Sequence, residues 1–279
     1  MLRNWIALFV MAWPAVAGNI SYVLLQYRSD SLIRVSDDGR SQVTIARGIG
    51  GRGVRGHGLA VDLNGDYIVA AVSVLLRVTP LGDVSKIAEA PAKSQWLGVA
   101  VTSEGNYIVA DNQRHAVWRV SHDGNVERVA TYPVQNISEM EDVGIIMDSA
   151  GDYLLMEDNS FAAHFWRISP AGVLTSIPLR GDRMMSGGSM VLDTDGTYLV
   201  ASFRDHAICR VAPSGEVTKF TTVSGLALTG LARNQETGEI VTTLNRDPEL
   251  RKISANGSTV TRFGGDLGYA KAIIAEAGR

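Results

Sequence analysis

Apolar and polar residues alternate in short blocks along this chain, and the blocks repeat. Four segments start alike, with a glycine, a polar residue, a tyrosine and then aliphatic residues: Gly65-Asp66-Tyr67-Ile68-Val69, Gly105-Asn106-Tyr107-Ile108-Val109, Gly151-Asp152-Tyr153-Leu154-Leu155 and Gly196-Thr197-Tyr198-Leu199-Val200. A fifth, Gly238-Glu239-Ile240-Val241, lacks the tyrosine. Downstream of each comes a basic residue, an aliphatic residue and a turn glycine, as in Arg77-Val78 with Gly82; Arg34-Val35 with Gly39 makes a sixth copy. The turn glycines Gly39, Gly82, Gly124, Gly172, Gly215 and Gly257 are 43, 42, 48, 43 and 42 residues apart. A period in the low forties, with two glycine turns per unit and β-rich runs between them, is the pattern of a four-stranded propeller blade.

One unit reads directly. Leu59-Ala60-Val61 is a short apolar strand near the axis, Asn64-Gly65 turns the chain, Tyr67 to Ala70 is the next strand, and Leu75 to Val78 and Val84 to Ile87 complete the sheet. No such sheet is stable alone, because its apolar faces need neighbours. The N-terminal copy has three strands, Tyr22 to Leu25, Leu32 to Val35 and Gln42 to Ile45, but no innermost one. Ala272-Ile273-Ile274-Ala275 at the other end is an innermost strand with nothing after it. The expectation is an all-β, six-bladed propeller of four-stranded blades, closed by a joint blade of three N-terminal strands and one C-terminal strand. Closure is expected to cover the sheet edge that the first strand would otherwise expose, the kind of edge that makes all-β proteins aggregate.

The first residues read as something other than fold. Arg3, the apolar run Trp5 to Trp13 and Ala15-Val16-Ala17 have the form of a secretory signal peptide, so residues 1–17 are expected to be removed and 18–279 to form one propeller domain, secreted or periplasmic. The apolar run is too short to span a bilayer. With 26 Lys plus Arg against 29 Asp plus Glu, the net charge of −3 argues against a nucleic-acid carrier. Cys209, the single cysteine, excludes an internal disulfide and reads as a small buried hydrophobe. The chain is expected to act as a monomer.

Candidate chemistry gathers on blades three and four. Asp111 and Glu157 share a repeat position in neighbouring blades, Glu141 and Asp142 enter beside them, and Asn159 follows. The longest glycine spacing and the irregular stretch from Pro133 to Asp142 fall there too, and departures from a repeat are where function is commonly grafted. Asp111, Glu157, Asp142 and Asn159 are the side-chain types that hold Ca²⁺ or Mg²⁺. The alternative is a solvated acidic rim whose aspartates cap turns. With a metal acting on a carbonyl, His57 and Glu141 are the candidate catalytic groups. His115 and His206 recur at one repeat position, which favours a structural loop role. Gly51-x-Gly53-x-x-Gly56 leads into a strand and lacks a βαβ unit, so it is a glycine loop and not a nucleotide site.

Gly58-Leu59-Ala60-Val61-Asp62, the Gly105 to Asp111 segment and Arg114-His115-Ala116-Val117 resemble NHL repeats and the virginiamycin B lyase and gluconolactonase propellers. The resemblance implies a shared scaffold with differing chemistry. Lyase-like members use histidine and glutamate with Mg²⁺ on the channel rim, for which His57, Glu141 and Glu157 are comparable here. Gluconolactonase-like members hold a divalent metal with glutamate, asparagine and aspartate, types supplied by Asp111, Asn112, Glu157 and Asn159. Two functions stand: an exported scaffold that binds a protein, peptide or glycan on its loop face, and a metal-dependent lyase or lactone hydrolase acting on a small cyclic ester.

Overall fold

A computed structural model describes residues 20–26, 29–49, 58–133, 143–158, 163–182, 184, 187–202, 205–225, 227–268 and 270–276, with no side-chain account for 158, 187 and 188. The expected leader lies outside them. Six sheets surround one axis, and no helix occurs among the described residues. From axis to rim, blade one is Ala270–Glu276, Ser21–Gln26, Ser31–Ser36 and Gln42–Ala46; blade two is Gly58–Val61, Tyr67–Ala71, Val74–Val78 and Val84–Glu89; blade three is Trp96–Val101, Tyr107–Asp111, Ala116–Val120 and Val126–Thr131. Blade four is Val143–Met147, Tyr153–Asp158, Ala163–Ile168 and Leu174–Ile177; blade five is Gly187–Leu192, Tyr198–Ser202, Ala207–Val211 and Glu216–Thr222; blade six is Leu228–Arg233, Ile240–Leu244, Leu250–Ile253 and Val260–Phe263.

The ring closes as its two ends require. Tyr22 pairs with Ala275 and Leu25 with Ala272, so the last strand becomes the innermost strand of the sheet that the first strand begins. One strand is additional to the four-per-blade expectation. After Pro178, which has no N–H to continue the ladder, Arg180–Gly181 crosses to the outer edge of blade five and pairs parallel with Glu216 and Val217.

Burial follows position within the blade. The second strands of blades two to six are buried along their whole described length, and that of blade one at all but its two end residues, because a neighbouring sheet covers each face; this is why they read as unbroken apolar runs. Outer strands such as Val84–Glu89 are mostly exposed. Among the described residues the core divides into six clusters, one per seam between blades; Ile108 and Ala110 pack toward Leu155 and Trp166 of blade four, and Tyr107 and Val109 toward Ile68 and Leu75 of blade two.

The two glycine series have different reasons to exist. Gly151 and Gly196 have φ of 86° and 81°, and an added Cβ would meet nothing within 4 Å, so they answer only to the hairpin conformation. The other series also faces the preceding blade. A Cβ on Gly82, Gly124 or Gly172 would lie 2.2, 2.3 or 2.3 Å from the carbonyl oxygen of Ile45, Ile87 or Val129. Each of those three residues is the extra one at a β-bulge in an outer strand, where the register shifts. The bulge turns a carbonyl toward the next blade, and the glycine Cα–H points at it.

The hairpin aspartates and the repeat arginines form a second belt of contacts. Asp62 uses Oδ1 to accept from the N–H groups of Asn64 and Asp66, and Oδ2 to meet Arg77 at 3.7 Å and the Tyr107 hydroxyl at 3.3 Å. Arg34, Arg77, Arg119 and Arg167 each donate to the tyrosine of the following blade, Tyr67, Tyr107, Tyr153 and Tyr198, at 2.6, 2.8, 3.5 and 3.1 Å. At the closing seam Lys252 and Tyr22 both donate to Asp37, at 2.6 and 2.9 Å. Blade six has Ile240 in place of the tyrosine; there Arg210 lies over Phe220, and Arg233 bridges back to Asp193 at 2.9 Å.

Candidate functional site

At one end of the axis each innermost strand begins and each second strand passes into the third. In blades one, two, three, five and six the turn has a left-handed residue, Asp30, Val72, His115, His206 or Arg246, with φ from 45° to 61°; the turn of blade four lies outside the described residues. The carbonyls of His115 and His206 then accept from Tyr132 and Val223, residues that follow the outer strands. The recurrence of histidine at this position thus has a backbone reason.

Two of the six expected site residues, Asp111 and Glu157, are described; His57, Glu141, Asp142 and Asn159 lie outside the described residues. Asp111 is 0% exposed and shares the strand face of Tyr107 and Val109, so it points into the seam between blades two and three. Its Oδ1 accepts from the backbone N–H of Gln95 and Arg114 at 2.9 and 3.1 Å, and its Oδ2 accepts from the Trp118 indole at 2.9 Å. The Tyr132 hydroxyl donates to its carbonyl at 2.9 Å. Asp111 therefore ties the incoming loop of blade three to the following turn.

Glu157, 1% exposed, lies one seam further on, where its Oε1 is 3.3 Å from Nδ1 of His115 in blade three. Tyr132 stands edge-on to His115 and leans on Trp166, which in turn stacks with His164. Burial holds His164 below the ordinary imidazole range, which favours its neutral form. Sequence reasoning missed this group. Period-two alternation carried the signal: Glu157 belongs to the face of Tyr153 and Leu155, opposite blade three.

The fit of a divalent cation can be judged from these placements. A Ca²⁺ or Mg²⁺ ion at Asp111 would have to displace three N–H donors, and Asp111 and Glu157 occupy different seams. Among the described residues no group of three His, Cys, Asp or Glu is close enough to share a metal. The described residues do not make a divalent site.

Along the axis runs a cavity of about 410 Å³, walled by all six innermost strands. Each is the terminal strand of its sheet, so the edge it turns to the axis has no ladder partner. Around it stand methyl-bearing residues such as Val101, Ile146 and Ala272, with Thr229 and Ser189 among the polar ones. Thr229 bonds to Thr243 and to the carbonyl of Ala270, and Ser189 accepts from the N–H of Leu231.

Comparison with solved structures agrees with this architecture. The chain is similar to a chain of the nidogen/laminin complex, with a TM-score of 0.75 at 11% identity over 92% of this chain and 98% of that one. The fold is a six-bladed β-propeller. Virginiamycin B lyase from Staphylococcus aureus, in an inactive form with quinupristin, matches with a TM-score of 0.65 at 14% identity over 90% of this chain and 86% of that one. A protein assigned as a gluconolactonase matches with a TM-score of 0.61 at 15% identity over 78% and 80%. No family model and no curated protein matches the chain. Likeness at such identities shows a shared scaffold.

Proposed function

We propose that this chain is an exported binding propeller that holds a protein, peptide or glycan partner on the loop face around the channel mouth. The observation that carries this reading is Asp111: a carboxylate at the repeat position expected to do chemistry is instead saturated by the Gln95, Arg114 and Trp118 donors, where it stiffens two loops. A rigid platform with exposed loop tips such as Lys93 and Gln113 is what a recognition surface needs. Similarity to a chain solved within the nidogen/laminin complex supports the same reading.

A second reading, a metal-dependent lyase or lactone hydrolase using Ca²⁺ or Mg²⁺ at the mouth, is favoured by the buried Glu157–His115 pair. One set of measurements separates them. The scaffold reading expects a hit on peptide or glycan arrays that Lys93→Glu with Gln113→Arg weakens at least tenfold while Tm is unchanged. It also expects no saturable heat on titration with Ca²⁺ or Mg²⁺. A saturable one-to-one metal heat that disappears in Glu157→Gln would overturn the scaffold in favour of the enzyme.

A further inference from the structure

At the end of the axis away from the loop face, blade two departs from the repeat at both of its hairpins. Leu81, 91% exposed, precedes the outer turn glycine, where the other five blades carry Asp38, Asp123, Ala171, Ser214 and Asn256. Leu63, 67% exposed, follows Asp62 in the inner hairpin, where blades three to six carry Ser103, Ser149, Thr194 and Gln235. A single exposed leucine needs no explanation, but one at each hairpin of the same blade, at places that are polar or small in the other blades, marks a built surface. In the strand order of blade two the two hairpins are two strand spacings apart, about 10 Å. Residues seven apart on an α-helix are separated by about the same distance, at a rise of about 1.5 Å each.

The surroundings of the pair are acidic. Asp83 lies two residues beyond Leu81; Glu104 adjoins Gly105, whose added Cβ would lie 3.6 Å from Leu63; and Asp123 belongs to the outer hairpin of blade three, whose His122 meets Arg77 of blade two at 3.1 Å. All three carboxylates are exposed, and among the described residues none forms an ion pair. The described cations of blade two are engaged elsewhere, Arg77 by Asp62 and Asp66 and Lys86 by Glu89. A second copy of the chain would bring like charges together around the leucines, whereas a cationic partner would complement them.

From the leucine spacing and this charge we propose that the hairpin end of blade two docks a cationic amphipathic helix of a partner protein, with apolar residues seven apart on Leu63 and Leu81 and its Lys and Arg side chains toward Asp83, Glu104 and Asp123. The probe is a fluorescein-labelled helical peptide of leucine and lysine in amphipathic order, titrated into the full chain by fluorescence anisotropy beside the same peptide with glutamate for lysine. The expected result is saturable one-to-one binding of the lysine peptide, at least tenfold tighter than the glutamate peptide and weakened by added salt. Leu63→Ser with Leu81→Ser, the side chain that blades three and five use at these places, lowers that affinity at least tenfold with Tm unchanged. Val173→Ser, at an exposed valine of blade four, leaves it unchanged, as does Lys93→Glu with Gln113→Arg on the loop face, so the two surfaces stand or fall separately. Where the leucine variant melts early, Glu104→Gln with Asp123→Asn leaves the leucines in place and is expected to weaken binding at least threefold and to flatten its salt dependence. No saturable binding, equal affinity for the two peptides, binding that survives the folded leucine variant, an equal loss in Val173→Ser, or a concentration-dependent dimer that the leucine variant dissolves would each overturn the proposal.

Discussion

Gly151 and Gly172 offer a matched pair for testing how the blades are held. Both sit in hairpin turns of blade four, with φ of 86° and 85°. Alanine at either position incurs a left-handed backbone cost of roughly 1–2 kcal/mol, reduced by roughly 0.4–1 kcal/mol because the unfolded chain also loses freedom. For Gly151 nothing more is added, since its new Cβ would meet nothing within 4 Å. At Gly172 the Cβ would lie 2.3 Å from the Val129 oxygen, backbone of a paired strand that cannot swing away as a side chain does. Overpacking of this kind adds about 1–3 kcal/mol. Gly151→Ala is therefore expected to cost about 1 kcal/mol and Gly172→Ala about 2–4 kcal/mol. Urea unfolding at constant m-value reads the difference as a shift in midpoint. Equal costs, within about 0.5 kcal/mol, would refute the claim that the second glycine series is fixed by close approach between blades.

Other expectations follow from the same contacts. Tyr67 and Tyr107 have phenol pKa values raised above the ordinary 10.0, chiefly by burial. Because the folded state holds these protons more tightly, their contribution is complete below pH 10.0 and fades as pH rises beyond it. Urea midpoints measured from pH 8 to 12 should fall on the alkaline side, and Tyr67→Phe with Tyr107→Phe should flatten that fall; an unchanged slope would count against the belt. The Cys209 thiol, pushed up to about 11 by burial first and by the Asp205 charge next, should react with a disulfide reagent at pH 8 only after urea is added. Trp118→Phe removes a donor to a buried carboxylate and should cost about 1–3 kcal/mol, read by thermal melting; no loss would show that Asp111 does not depend on it.

The blades and their closure were legible because the tyrosine, the basic residue and the glycines recur with every unit, and the missing and surplus strands complete each other. The direction of the acids was not. Asp111 and Glu157 follow the buried runs Tyr107–Ala110 and Tyr153–Met156, and the alternation of those strands aims both into seams, yet their place at a strand end suggests a rim. The partner of Glu157 depends on His115, contributed by another blade at a left-handed turn, and no local pattern relates the two. Arg180–Gly181 was illegible for a different reason: two residues carry no periodicity, and their pairing is decided by where Pro178 releases the chain.

Joining the ends in one sheet also orders events in time. During synthesis the strand at Ser21–Gln26 emerges early, and its neighbour toward the axis, Ala270–Glu276, emerges after nearly everything else. Until then blade one offers a bare ladder to any passing strand. A nascent chain stalled short of Ala270 has therefore made five sheets and three strands of a sixth without a ring to hold them, and its unpaired edge stays open to misassembly until the last strand docks.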